Sequence, residues 1–139
     1  MMFNVIEELN WIAVLLAALA SALLGGVWFT VIFGKAYALA LGREGAPSEK
    51  PAPIFIAGPF VCGLVTTVAT AILIYALGIE TIDNAMIFGG IAGIGFLAST
   101  TVNTAINPNI PRPLLYGLIS GSYFLLSGLI TSVILVAMK

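Results

Sequence analysis

Glu80 and Asp83, in the segment "GIETIDN", are the nearest approach in this sequence to a carboxylate pair for general acid–base chemistry. Thr81, Asp83 and Asn84, however, stand where the N-cap of the following apolar segment belongs, and capping is the expected role. Cys62 is the sole cysteine and lies inside an apolar run, where a thiol acts as a small hydrophobe. The chain has no histidine. That removes a haem or chlorophyll held by an axial imidazole, a zinc site with His and Cys ligands, and a Ser/His/Asp triad. No catalytic residue, cofactor site or metal site is expected. The remaining polar concentration is "LASTTVNTAINPN", residues 97–109, which carries Ser99, Thr100, Thr101, Asn103, Thr104, Asn107 and Asn109. Hydroxyls and carboxamides at that density either hydrogen-bond between helices or line a hydrated, ligand-holding cavity.

These residues belong to a chain of 139 residues that is 60% hydrophobic and 8% charged. Its mean hydropathy of +1.14 exceeds what a soluble fold needs. Uncharged apolar runs at roughly 11–33, 54–77, 85–106 and 114–138 each supply the ~20 helical residues that cross a hydrocarbon core. The expected fold is all-α: a polytopic integral membrane protein with four transmembrane helices in an antiparallel bundle, forming a single domain over residues 1–139. No Asp, Glu, Lys or Arg lies within these runs, so a proton-coupled pump has no carrier at membrane depth. Five Lys and Arg against six Asp and Glu give a net charge of -1, which leaves no basic surface for nucleic acid.

The charges that remain suggest an orientation. Lys35, Arg43 and Lys50 fall in the loop 34–53 and Arg112 in the loop 107–113. By the positive-inside rule both loops are cytoplasmic and both termini face outward. Glu7 and Glu8, with no Lys or Arg beside them, are unlike a secretory signal, so the first apolar segment is expected to be retained. Trp11 and Trp28 bracket that segment about 26 Å apart at 1.5 Å per residue, as interfacial anchors do. Gly34 is the expected bend into a short interfacial segment with Lys35 and Tyr37 among the headgroups; a frayed end of the first helix is the alternative.

At 100° per residue the third helix sorts into two sides. Gly89, Ala92, Gly93, Ser99, Thr100, Asn103, Thr104 and Asn107 share an arc of about 140°, with Ile91, Ile94, Ala98, Val102 and Ala105 opposite. In the fourth helix Gly117, Ser120, Gly121, Ser127, Gly128, Thr131 and Ser132 line up; in the second, Gly63, Thr66, Thr67 and Thr70; in the first, Ala13, Ala17, Ala20 and Ser21. The patterns Gly89-x-x-x-Gly93 and Gly117-x-x-x-Gly121 are small-xxx-small faces suited to close helix packing. The stripes predict either packing contacts or a polar cavity bounded by Thr66, Thr70, Ser99, Thr100, Asn103, Thr104, Ser127 and Thr131.

The segment "NWIAVLLAALASALLGGVWFTVIFGKAYALALG", residues 10–42, resembles the start of the domain-of-unknown-function family 1761, small bacterial and archaeal membrane proteins. The matching residues are Trp28, Phe29, Phe33, Gly34, Lys35 and Tyr37. "GGIAGIGFLASTTVNTAI" is similar to that family's Gly-rich third helix, and "LLYGLISGSYFLLSGLI", with Tyr123, to its fourth. Phe29-Thr30-Val31 departs from the Tyr-Ser-Pro that commonly follows the tryptophan, and Tyr37 stands where a tryptophan is commoner. The resemblance implies four helices in a prokaryotic plasma membrane and no established activity.

Three functions are compatible with these residues. The leading expectation is a non-enzymatic module that forms a homo-oligomer or joins a larger membrane complex. A small transporter or channel for a neutral or lipophilic molecule, lined by the Thr/Ser/Asn stripes, is the second. A lipid-modifying enzyme is the third, and its acid and base candidates are confined to loops.

Overall fold

The computed structural model describes residues 2–47 and 49–139; Met1 and Ser48, the latter within the expected first loop, lie outside the described residues. A 3-10 turn, Met2–Glu8, leads into α1, Trp11–Val27, which continues through a wider π-wound turn, Trp28–Ile32. After a break at Phe33 comes a short helix α2, Gly34–Ala40, and then α3, Ile54–Ala76. Helix α4, Ile82–Ile91, continues through a second π-wound stretch, Ala92–Ala98, into α5, Ser99–Ala105, and α6 is Pro113–Ala137. The described residues contain no strand. With their π-wound continuations the helices give four spans long and apolar enough to cross a bilayer: Trp11–Ile32, Ile54–Ala76, Ile82–Ala105 and Pro113–Ala137. The chain is an all-α, multi-pass membrane protein.

Local chemistry sets the helix ends. Asn10 caps two helices at once: its Oδ1 accepts from the Ile12 and Ala13 amides at the start of α1, at 3.1 and 3.2 Å, while its Nδ2 donates to the Met138 carbonyl just past α6, at 2.7 Å. Thr81 Oγ1 accepts from the Asn84 amide at 3.3 Å, so the third span begins at Ile82 and Asp83 sits in its first turn, where the helix dipole favours a carboxylate. Pro113 opens α6, at a position where no amide hydrogen is needed.

The last helix, α6, is the most buried of the four spans and the one that α1, α2, α3, α4 and α5 all pack against. It runs opposite to the third span: Gly128 meets Gly89, Leu125 meets Gly93, Gly121 meets Ala98 and Gly117 meets Val102. Between Gly93 and Ala98 the third span advances five residues while α6 retreats four, from Leu125 to Gly121. The surplus residue is taken up by the π-wound stretch, where the Ser99 amide bonds the Ile94 carbonyl five residues back. The extra residue turns the chain beyond it. Ala98, Val102 and Ala105 therefore face α6, and Ser99, Thr100, Asn103 and Thr104 are exposed. The expected continuous polar stripe is interrupted at this point, because it assumed 3.6 residues per turn throughout.

Lipid tails are as apolar as leucine, so these helices are held by close approach and hydrogen bonds rather than by escape from water. The tightest approach is backbone to backbone. A Cβ at Gly89 would lie 2.6 Å from the Gly128 carbonyl oxygen, and one at Gly128 would lie 2.8 Å from the Gly89 carbonyl oxygen. Neither neighbour can rotate away as a side chain would. Gly89→Ala and Gly128→Ala are each expected to lower stability in detergent by about 1–3 kcal/mol through overpacking. Gly90→Ala, with nothing within 4 Å of the new methyl, should leave thermal unfolding unchanged or slightly raised.

Candidate functional site

Along α1 and α6 the bonded pairs descend in register: Asn10 with Met138, Ser21 with Thr131 and Ser127, Trp28 with Ile119. The two helices therefore run in opposite directions, and the middle of their contact is polar. Ser127 Oγ donates to Ser21 Oγ at 3.0 Å, and Ser21 Oγ lies 3.0 Å from Thr131 Oγ1. The Tyr123 hydroxyl donates to the Ser21 carbonyl oxygen, also at 3.0 Å. Ser21 and Thr131 are buried and Ser127 half-buried, so this chain of hydroxyls is internal. Two turns beyond Ser21, the Trp28 indole N–H donates to the Ile119 carbonyl at 2.9 Å.

An aromatic cluster continues from there. Phe29 lies against Tyr37 with the rings tilted, at 4.8 Å between centroids, and meets Tyr123 edge-on at 5.2 Å; Tyr37 lies 5.6 Å from Tyr116, and Trp28 lies 4.7 Å from Phe33. These rings join the end of α1, the short helix α2 and the first half of α6. The Arg112 amide donates to the Ala40 carbonyl at 3.3 Å, and Pro111 packs beside Gly42, whose φ of +69° suits glycine. Helix α2, with Lys35, and the loops that carry Arg43 and Arg112 thus share one end of the bundle. At the other end Lys139 Nζ donates to the Ile79 carbonyl at 3.2 Å, close to the Asn10 cap. Burial, with Tyr116 beside it, pushes the Tyr37 phenol up to about 12.

The sequence-predicted cavity residues fall into three groups. Ser127 and Thr131 join the hydroxyl chain with Ser21. Thr66 and Thr70 are half-buried, bond the carbonyls of Cys62 and Thr66 on their own helix, and line an open cleft between α3 and the third span with Phe88, Ile91 and Phe96. Ser99, Thr100, Asn103 and Thr104 reach neither group. Ser99 and Thr104 bond the carbonyls of Gly95 and Thr100 on their own helix, at 2.6 and 2.9 Å, and Asn103 sits in the last turn of α5. Ser21 and Tyr123 were the residues that sequence reasoning underweighted. Ser21 lies on the weak small-residue face of the first helix, and a hydroxyl among alanines there was the available signal.

The anchor residues also differ in their surroundings. Trp11 is exposed, whereas Trp28 is half-buried with its N–H committed to α6. The bend expected at Gly34 occurs one residue earlier, at Phe33, with φ -114° and ψ 14°. Its cause is the π-wound turn, closed by the Phe33 amide on the Trp28 carbonyl at 2.9 Å. A Cβ at Gly34 would meet only the Phe29 carbonyl oxygen, at 3.5 Å, an ordinary contact. Lys35 is exposed; Gly89, Gly93, Gly117 and Gly121 are all buried against the facing helix. Among the described residues no group of three or more Cys, Asp or Glu is placed to hold a metal ion.

Two measurements follow from this geometry. Ser21→Ala removes the middle member of the hydroxyl chain and should cost about 1 kcal/mol in reversible unfolding, while Ser99→Ala, bonded only within its own helix, should cost much less. Tyr37 holds its proton in the folded protein to about 12 but releases it near 10.0 when unfolded. Because the folded state then binds more protons, stability should fall as pH rises through that window. Tyr37→Phe should make that fall shallower and remove one late-ionising group from the tyrosinate absorbance titration.

Neither a curated protein nor a solved structure matches the chain. The model of a family described as protein of unknown function, DUF1761, matches residues 12–136. That range takes in the segment from Trp28 to Tyr37, the Gly89–Gly128 contact and the hydroxyls joined through Ser21. The chain belongs to the DUF1761 family.

Proposed function

We propose that this protein is a non-enzymatic helix-bundle module whose work is association within the membrane, with further copies of itself or with a larger complex. The observation that carries this reading is the exposure of the third span beyond its first turns, where Ile91, Ile94 and Phe96 are exposed. The span packs on α6 and leaves an open apolar groove on each side. The larger, about 420 Å³, is lined by Ile94, Ala98, Val102, Leu114, Leu118 and Leu125; the smaller, about 210 Å³, is the cleft beside Thr66 and Thr70. A helix from another chain would complete the packing that a four-helix unit begins. In this reading the membrane is a prokaryotic plasma membrane and the end bearing Lys35, Arg43, Lys50 and Arg112 is cytoplasmic.

A second reading has one observation in its favour. Thr66 and Thr70 place hydroxyls along the otherwise apolar smaller cleft, as a carrier of a neutral or lipophilic molecule would need.

Native mass spectrometry of the protein released from a mild detergent, with subunit counting in native membranes, distinguishes the two. A discrete oligomer is expected, dissociating in Ile94→Trp/Leu118→Trp while thermal unfolding of the subunit is retained. A monomer at every concentration would overturn the assembly reading. A co-purified mass lost in Thr66→Val/Thr70→Val would put the carrier reading first.

A further inference from the structure

We infer that Arg43 and Arg112, with the Tyr37 and Tyr116 hydroxyls, form a binding site for the phosphate group of an anionic membrane lipid. The site does not depend on whether the chain assembles. These are the only two arginines in the sequence, far apart along it, and the fold brings them to one place. Helix α2 ends in a closed turn: the Gly42 amide donates to the Leu39 carbonyl at 3.1 Å and the Arg43 amide to the Ala38 carbonyl at 2.8 Å, with Gly42 at φ +69°. That turn is fastened to the loop before α6. The Arg112 amide donates to the Ala40 carbonyl at 3.3 Å, and a Cβ at Gly42 would lie 3.1 Å from the Pro111 ring. Each arginine therefore stands one residue beyond the Gly42–Pro111 contact, with its own amide held by a hydrogen bond.

The two tyrosines close a ring between the arginines. Tyr116 follows Arg112 by one turn, its amide donating to the Arg112 carbonyl at 3.0 Å, so the two share a face at the start of α6. The Tyr116 ring lies 5.6 Å from that of Tyr37. Arg43 returns toward Tyr37 through the closed turn, near enough for its charge to act on the phenol. Burial and Tyr116 hold that phenol at about 12 against the charge, so Tyr37 stays a hydrogen-bond donor at physiological pH.

Charge and depth select the ligand. Each guanidinium presents a fork of donors matched to phosphate oxygens. Among the described residues no carboxylate is bonded to either one, and Glu44 and Glu49 of the same loop are exposed. No side chain caps α6, so its first free amides and its dipole add donors and positive charge at the same end. Arg112 directly precedes the span that starts at Pro113, and α2 starts just after the span that ends at Ile32, which sets the ring at headgroup level. Arg43 and Arg112 are exposed and Tyr37 and Tyr116 half-buried, so the cationic side is open to a ligand.

Native mass spectrometry of the delipidated full chain, offered equal amounts of dioleoylphosphatidylglycerol and dioleoylphosphatidylcholine, tests the site. The anionic lipid should be retained with about tenfold preference. Arg43→Gln and Arg112→Gln should each remove most of that preference. Lys35→Gln, which deletes the same charge about 200° around α2 from Tyr37, should keep it. No preference in the unaltered chain, a preference that survives both arginine substitutions, or one lost equally in Lys35→Gln overturns the site. Inorganic phosphate at millimolar concentration should leave the lipid bound; displacement of the lipid by phosphate would overturn the lipid as its source. Thermal unfolding identifies any variant that misfolds, and for such a variant phenylglyoxal labelling of the unaltered chain takes its place, since the reagent has only these two arginines to modify. Dioleoylphosphatidylglycerol should slow labelling of both, relative to N-acetylarginine in the same micelles, and absence of that protection would likewise overturn the site.

Discussion

The backbone contact between Gly89 and Gly128 fixes how close the third span comes to α6, and the rest of the bundle is arranged around the helix that makes it. In a bilayer there is no hydrophobic force to draw two apolar helices together, so association requires surfaces that touch or groups that bond. The helix α6 supplies both, on different sides. Gly117, Gly121 and Gly128 lie along one stripe and Tyr123, Ser127 and Thr131 along another, about 100° away. The glycine stripe receives the third span through bare backbone, and the hydroxyl stripe receives α1 through hydrogen bonds at 3.0 Å. Two neighbours are thereby distinguished by chemistry as well as by order in the chain.

The parts of this architecture that depend on local rules were legible in the sequence. Four apolar runs of membrane length, a threonine ahead of the third helix and a proline at the head of the fourth each act within a few residues of themselves. The orientation of the polar stripe was not legible, because the surplus residue between Gly93 and Ala98 exists only in relation to α6, more than twenty residues away in the chain. No local propensity marks a π-wound turn; it is the compromise by which Gly93 and Ala98 both reach their partners. Gly34 illustrates the opposite error. A glycine was the obvious place for a bend, yet the wide turn before it already supplies the change of direction, at a phenylalanine.

The first span uses its own π-wound turn to a different end. There the turn sets Trp28 against α6 and Phe29 between Tyr37 and Tyr123, so that α2 folds back onto the first half of α6. Aromatic edges and faces are directional at these separations, which gives the short helix a defined seat that seven residues of backbone could not provide alone. The segment from Trp28 to Tyr37 carries the family resemblance, and its residues act here as a brace between two spans and a loop.

Close backbone approach has a cost that is visible at Ser132 of α6. Ser120 and Ser132 of α6 are buried, and their hydroxyls find no partner among the described residues. A serine in a helix ordinarily bonds the carbonyl four residues back, as Thr66, Thr70 and Ser122 do here. For Ser132 that carbonyl belongs to Gly128, the very group pressed against the Gly89 backbone. A buried hydroxyl without a partner costs about 1–3 kcal/mol, so the tight half of the third span is stabilised by contact and destabilised by the polar group the contact isolates. Beyond Ala98 the balance differs. The contact there is through side chains, and the hydroxyls of Ser99 and Thr104 are satisfied within their own helix. One span therefore joins a half held to α6 through bare backbone to a half held through the side chains of Ala98 and Val102.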